Sequence, residues 1–534
     1  MTSSADLDVL IVGAGPTGLS LAVQLARAGL RFRIVDALAD RRLESRALAV
    51  HARTLELLDT IDAAWPLVAL GRRALRVRLH LGRSDVTVSL GDIDAPGTRF
   101  PFVLFVSQAD TEAAICTWLE AHGVAVERGR TARIDPSTDG DVACRLLGRD
   151  GGEERFLARY VVGCDGAHST VRHVAGIAFD GDAYPHRFML ADVEIEGDIE
   201  PDTLHSYPGV RGALMVFPLG RPRSWRVIAI DPTDAAEIAP SGQADLALET
   251  LQSFVDRVTG HRLRLHDPAW ITRFRLHHRQ AATYRRGRLF LAGDAAHIHS
   301  PAGGQGMNTG IQDAWNLGWK LGLVCRGEAP ESLLDTYHAE RWPVGRFLLR
   351  YTDRLFTIAT RLVAAGPATA HARNVAVRWL LPIVMASSRL RARGFRTLSQ
   401  LGIRYRDSPA VCEGRPAIVD GPRAGDRLPD VETVEDGVPT TLQSVVREPA
   451  FHWLWCAPVV VPADLVRWAG AHGITPHHLD SGLAENASAM RRLGVASRGS
   501  AQYLVRPDGH IAFRCAGTDV GELRRYIATW FSSH

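Results

Sequence analysis

The chain has 534 residues, 46% of them hydrophobic and 23% charged, with a net charge of +3. This balance excludes a disordered or collagen-like protein, and the length of about three or four ordinary domains can bury a large core. A mean hydropathy of −0.04, with no apolar run near about 18 residues, excludes a helical membrane span.

Met1 to Asp8 contains no Lys or Arg, so a signal peptide is not expected. Leu7 to Val12 is a short apolar run that ends at a glycine turn, the pattern of a buried parallel strand. Gly13-Ala14-Gly15-Pro16-Thr17-Gly18 follows, and Leu19, Leu21, Ala22, Leu25 and Ala26 then recur at helical spacing up to Gly29. Phe32 to Val35 makes the next strand and ends at Asp36. This is the strand, glycine loop, helix, strand and acid of a dinucleotide-binding unit. Gly13 permits the tight turn, Gly15 lets the backbone approach a diphosphate, and Gly18 lets helix and strand pack closely. The helix start at Pro16 and Thr17 offers N–H groups and partial positive charge to that diphosphate, and Asp36 accepts from ribose hydroxyls. The motif alone does not separate NAD from FAD.

Alternating strand patterns occupy Ala74 to Leu81, Met189 to Ile195, Ala213 to Leu219 and Trp225 to Ile230. Arg288 to Leu291 is a further strand running into Gly293-Asp294, and Ser300 to Asn308 is a second glycine loop. An amphipathic helix follows, with Met307, Ile311, Ala314, Trp315, Gly318, Leu321 and Gly322 on its packed face. Two glycine loops capping two helices nearly 300 residues apart imply one long ligand held at both ends, as FAD would be. Reduced flavin carries negative charge near N1 and O2, which a helix N-terminus stabilises, and Gly303, Gly304 and Gly306 let the backbone approach a flat ring.

With these motifs the chain resembles, over essentially its whole length, the flavoprotein aromatic monooxygenases of the p-hydroxybenzoate hydroxylase type. Gly293-Asp294 matches the family motif whose Asp contacts the ribityl chain, and Cys164 to Arg172 matches the Asp-Gly motif implicated in flavin and nicotinamide binding, with Asp165 as its acid. Arg46 and Gln108 stand where family members contact the phosphates or the ribityl chain. Pro301, Gly304, Gln305, Gly306, Met307 and Asn308 match the loop beside the isoalloxazine. Asp36 replaces the Glu of many members. Each side chain also has an ordinary structural reading: Arg46 paired with Glu44 or another acid, Gln108 capping a helix that begins near Asp110, Asp165 as a turn residue, Asp294 as an N-cap.

The resemblance implies an α/β protein with a Rossmann-like FAD-binding domain, an inserted antiparallel β-sheet substrate domain and a C-terminal thioredoxin-like domain. The expected pieces are 1–75, 101–180 and 280–350 for FAD, 76–100 and 181–279 for the substrate sheet, 351–405 as a helical connector and 406–534 as the last domain. In the connector, Arg389, Arg393 and Arg396 read as a solvated helix face, and Trp379 to Met385 as a buried helix or a subunit contact. The Pro/Gly-rich stretch after Ser408 reads as a linker. Beyond it, similarity to the phenol-hydroxylase branch makes Tyr503 to His510 a strand and hairpin turn. Seven cysteines, none close-spaced, argue against disulfides, zinc or a redox Cys-x-x-Cys, and fit a reducing, cytoplasmic setting; packing or homodimer formation is the role left for this domain. Lys320 is the single lysine, and the arginines are scattered among acids, so nucleic acid is not an expected partner.

The implied chemistry is reduction of FAD by NADPH or NADH, addition of O₂ at flavin C4a to give a hydroperoxide, and oxygen transfer to a phenolic or polycyclic aromatic, polyketide-like substrate in a water-free pocket. No catalytic residue is assigned. His205, Tyr207, Phe217, Trp225, Arg226 and His278 lie in the substrate segment, where each reads equally as a structural residue. Baeyer–Villiger insertion and antibiotic inactivation remain open on the same scaffold, as does a flavoprotein that binds a drug without turnover. A halogenase is disfavoured: its Trp-x-Trp signature is echoed only at Trp453 to Pro458 in the last domain, and Lys320 lies after the Gly-Asp motif.

Overall fold

The computed structural model describes residues 5–531 except 42–46, 74–75, 82–84, 90–94, 96, 136–139, 210–211, 221–222, 232–242, 245, 301–302, 365–373 and 381–385. Arg46 and Pro301 therefore lie outside the described residues.

Leu7–Val12 has apolar side chains on both faces because both faces are covered, and Val9, Leu10 and Ile11 are fully buried. It pairs in parallel with Glu153–Gly163 on one side and Phe32–Asp36 on the other. Leu289–Leu291 extends the parallel sheet beside Glu153–Gly163, and Glu127–Arg128 extends it beyond Phe32–Asp36. This order brings the carboxyl ends of the strands before Gly13, Cys164 and Ala292 side by side, where a ligand of an open α/β sheet sits.

A second sheet is built around two long strands, Phe179–Gly197 and Leu263–Ala281, paired antiparallel. Trp225–Ile230, Gly212–Pro218 and Thr203–Gly209 continue it antiparallel. Thr203–Gly209 then pairs in parallel with Arg76–His80, so the sheet is mixed at that edge rather than wholly antiparallel. Its alternation is regular: in Gly212–Pro218, Gly212, Leu214, Val216 and Pro218 are buried and the residues between are half-buried. The buried face packs on the helix Leu248–Thr259 through Leu251, Phe254 and Val255. The opposite face, with Leu190, Met215, Phe217, Ile228 and Phe274, joins the core of the dinucleotide-binding unit.

The helix Gly306–Cys325 departs from the expected single packed face, for every residue from Asn308 to Val324 is buried. One side meets the helix Pro16–Arg27, where a Cβ on Gly322 would lie 3.0 Å from the Ala28 Cβ and one on Gly318 would overlap Gln24. The other sides meet the long helix Asp335–Ala364 and the last domain, which explains the polar residues Asp313, Asn316 and Lys320 in its interior.

The last domain carries the sheet order Cys412–Glu413, Ile511–Ala516, Ala501–Val505, Phe451–Cys456 and Ile474–Leu479. Phe451–Cys456 and Ile474–Leu479 are parallel around the helix Ala463–Ala471, and Ala501–Val505 and Ile511–Ala516 form a hairpin before the helix Gly521–Trp530. This is a thioredoxin-like βαβ–ββα arrangement in which Cys456 and Cys515 are buried, and burial pushes both thiols up to about 12. In the connector, Arg389, Arg393 and Arg396 are exposed on the helix Ser388–Leu398, as its polar spacing predicts. Trp379 and Leu380 are 69% and 60% exposed, which removes the buried-helix half of the expectation and leaves the subunit contact as the other half, while 381–385 lie outside the described residues. No described helix is long and apolar enough to cross a membrane.

Candidate flavin site

Each glycine of the opening loop is explained by what a side chain would meet. Gly13 has φ +101°, and its Cβ would lie 2.8 Å from the Asp165 Cα. A Cβ on Gly18 would overlap the Gly13 carbonyl. Gly15 is the contrary case, since a Cβ there would meet no protein atom within 4 Å. Two glycines are thus required by the fold, and the third keeps open the space above the helix. Pro16 begins the helix Pro16–Arg27, and no side chain caps its start. Asp36 accepts the Ala14 N–H at 2.8 Å and the Leu38 N–H at 2.8 Å, so it also ties the loop to its strand. A carboxylate holds about four acceptor positions, which leaves capacity for ribose hydroxyls.

Cys164 donates its N–H to the Val12 carbonyl at 2.7 Å, which lays the Asp-Gly motif against the opening loop. Asp165 accepts the Thr170 and Val171 N–H groups at 2.7 and 3.3 Å, and burial raises its pKa. The turn reading of Asp165 is thus present in the structure. Arg172, 4% exposed, donates to the Ala295 carbonyl at 3.0 Å and the Ala167 carbonyl at 2.8 Å, joining this motif to the Gly-Asp turn.

Gly293 has φ +62° and packs directly on Thr17: a Cβ on Gly293, or on Gly310 of the following helix, would overlap the Thr17 Oγ1. The opening helix thus meets two positions, Gly293 and Gly310, that lie almost 300 residues further along the chain. Asp294 does not cap a helix; it stands exposed in the short 3₁₀ turn Gly293–Ala295 between two buried neighbours. Beneath it lies a cluster that motif reading missed. Asp313 accepts the Gly293 N–H at 3.0 Å, bonds His297 Nε2 at 2.8 Å and pairs with Arg341 Nε at 2.6 Å, all fully buried. Burial alone would raise the Asp313 pKa, but Arg341 and His297 hold it below the ordinary carboxylate value. The available signal was the acid Asp313 in a helix that also carries Ile311, Ala314, Trp315 and Leu317.

In the second glycine loop, Gly303 and Gly304 have φ +82° and +64°, and a Cβ on Gly304 would lie 2.7 Å from the Ala49 Cβ. Asn308 is fully buried and donates to the Ala49 and Gly304 carbonyls, both at 2.8 Å, while accepting the His51 N–H at 2.8 Å. Gln305 is equally buried and donates to the Leu398 carbonyl at 3.0 Å. These two side chains hold the loop's shape. His51, a residue motif reading did not single out, bonds the Gly303 carbonyl through Nε2 at 2.8 Å, and burial lowers its pKa to about 4, so it is neutral. Gly306 opens the helix Gly306–Cys325, again without a side-chain cap, and Met307 is half-buried in its first turn. Gln108 is the first residue of the helix Gln108–Ala121 and donates to Glu112 at 2.9 Å; the cap is Ser107, which accepts the Asp110 N–H at 3.0 Å.

Five of the six substrate-segment residues divide between the two faces of the second sheet. His205, Tyr207 and Trp225 are buried on the face against the helix Leu248–Thr259, because strand alternation turns them away from the flavin side. His205 bonds His80 there at 3.1 Å, and Tyr207 stacks on His80 with ring centroids 4.0 Å apart. Phe217 and Arg226 face the dinucleotide-binding unit. Phe217 meets Phe105 edge-on at 5.6 Å. Arg226, fully buried, pairs with Asp192 at 2.6 and 2.7 Å and donates to the Ala47 carbonyl at 3.1 Å. His278 lies beside the Tyr184 ring at 4.9 Å. Among the described residues no group of His, Cys, Asp or Glu could hold a metal ion.

Two uncapped helix starts, an open cradle at Gly15 and an exposed carboxylate at Asp294 fit a long ligand with a diphosphate, hydroxyls and a flat head. Residues 6–352 match the family described as FAD binding domain, and residues 421–533 match the aromatic-ring hydroxylase C-terminal family. The chain is 36% identical to 6-methylpretetramide 4-monooxygenase of Streptomyces rimosus, over 94% of this chain and 90% of that one. It is 34% identical to pentachlorophenol 4-monooxygenase of Sphingobium chlorophenolicum, over 97% and 96% of the two chains. The solved structure of the OxyS anhydrotetracycline hydroxylase from Streptomyces rimosus superposes with a TM-score of 0.76 at 31% identity, covering 98% of this chain and 99% of that one. The chain belongs to the FAD-dependent aromatic-ring monooxygenases of the p-hydroxybenzoate hydroxylase and phenol hydroxylase type.

Proposed function

We propose that this monooxygenase uses NADPH or NADH and O₂ to hydroxylate a phenolic, polycyclic aromatic substrate of the polyketide kind. The observation that carries the reading is the meeting of Thr17, Gly293 and Gly310, which joins the two uncapped helix starts into one elongated site. The tetracycline-type relatives support the substrate class.

When bound, FAD supplies the activation of O₂ by nicotinamide-derived electrons. The helix start at Pro16 binds the diphosphate, and Asp36 and Asp294 accept from its hydroxyls. The helix start at Gly306 holds negative charge at the ring end, while Asn308, Gln305 and His51 fix the loop that carries it. The half-buried Met215 and Phe217, on the face of the second sheet toward the dinucleotide-binding unit, would contact the aromatic rings and exclude water. Neutral His51 keeps charge off the loop.

The test is NAD(P)H consumption with a panel of phenolic and tetracyclic aromatics, followed by ¹⁸O₂ product analysis. A phenol carrying one ¹⁸O is expected. A ring-expanded lactone would replace hydroxylation with Baeyer–Villiger insertion, and flavin that never bleaches anaerobically with either nicotinamide would overturn the enzyme reading.

A further inference from the structure

The hairpin turn of the last domain is buried inside the flavin unit. Arg506, fully buried, pairs with Glu340 at 2.7 and 3.0 Å and with Asp508 at 3.0 Å. Glu340 also accepts from Lys320 at 2.8 Å, Asn316 at 2.6 Å and Ser408 at 2.7 Å. The Arg506 guanidinium lies 5.2 Å from the centre of the Tyr405 ring, and His510 of the same turn packs on that ring at 4.4 Å. The Tyr405 hydroxyl accepts from Arg341 at 2.9 Å, Arg341 pairs with Asp313, and Asp313 accepts the Gly293 N–H. An unbroken set of buried contacts therefore runs from the 506–510 turn to the Gly293–Asp294 turn. Buried ion pairs are costly unless fully satisfied, so such a network holds its members in one arrangement.

We propose that Tyr405, gripped by Arg506 and His510, is a positioning residue for the Gly293–Asp294 turn, so that the thioredoxin-like domain sets flavin affinity without touching flavin. This rests on the reading of that turn as part of the FAD site. Tyr405→Phe keeps the ring and removes only the hydroxyl that Arg341 meets. Titration of apoprotein with FAD, followed by flavin fluorescence, is expected to show a Kd raised about tenfold, an ordinary size for coupling between sites. Leu479→Ala, in the core of the last domain, serves as the control: it lowers the Tm while leaving the Kd within about twofold. A Tyr405→Phe Kd equal to wild type overturns the proposal, as does a Leu479→Ala Kd raised as much as that of Tyr405→Phe. Hydrogen exchange of wild-type protein tests it without substitution. By reciprocity, FAD is expected to slow exchange at amides 505–511, and protection confined to residues 5–352 overturns the proposal. Failure of wild-type protein to bind FAD would instead defeat the functional reading itself.

Discussion

Thr17 and Gly293 are in direct van der Waals contact, although 275 positions separate them in the chain: the absence of a Cβ at Gly293 is what admits the threonine hydroxyl. The contact brings the opening loop and the Gly-Asp turn against each other. Any side chain at Gly293 must push them apart.

Gly15 and Gly18 should separate binding from folding. Gly15→Ala adds a methyl group in open space, so the Tm should stay within a degree or two while FAD affinity falls about tenfold or more from lost diphosphate approach. Gly18→Ala drives a Cβ into the Gly13 carbonyl and should lower the yield and Tm of the apoprotein before FAD is added. Equal effects on Tm would contradict the assignment.

Asp294→Ala should yield folded, colourless protein. The side chain is exposed and outside the core, and loss of its charge-assisted hydrogen bond to FAD, about 1.5–3 kcal/mol, weakens FAD by roughly 10- to 100-fold. Retention of tightly bound yellow cofactor would remove Asp294 from the site.

Arg226 should behave as one half of a buried pair. Arg226→Met leaves Asp192 charged and unpartnered, at about 3–5 kcal/mol, and frees the Ala47 carbonyl. The double variant with Asp192→Leu should recover part of that loss in chemical denaturation. No recovery would favour a direct substrate role for Arg226.

The two sheet faces predict different kinetics. Phe217→Ala should raise the KM for the aromatic substrate severalfold, whereas Tyr207→Phe, stacked on His80 at the far face, should leave KM unchanged. The reverse pattern would place the substrate on the helix-covered side.

Stability should also follow the ionisation of Glu340. Burial opposes its charge, but Arg506 and Lys320 lower its pKa from 4.5 to about 2. A folded pKa below the unfolded value contributes stability above about pH 4.5 that is lost as pH falls toward 2, by up to roughly 3 kcal/mol. Wild-type Tm should therefore fall more steeply over that range than that of Glu340→Gln; parallel curves would rule the linkage out.

Local spacing was enough to read the opening strand–loop–helix, the Gly-Asp turn and the second glycine loop, because each is a short glycine run beside a strand or helix, even though the atoms that require Gly13, Gly293 and Gly304 belong to residues far away in the chain. The strand Trp225–Ile230 was legible, although burial runs unbroken from Trp225 to Ala229 instead of alternating. Leu263–Ala281 was not, because His, Arg and Thr interrupt its apolar period. Which face of the second sheet looks toward the flavin could not be read either, since alternation defines two faces without saying which neighbour covers each. That left His205, Tyr207 and Trp225 indistinguishable from Phe217. Asp313, Arg341 and Tyr405 escaped because their partners lie in other elements, and no short motif encodes a contact made across domains.

The burial of Lys320 has a practical consequence for chemistry done on this protein. With its one ε-amine sealed at 0% exposure, amine-directed reagents should modify the folded chain only at its α-amino group. Acylation of Lys320 would then be a stopwatch for the seam between the flavin unit and the last domain, timing each opening against a blank background.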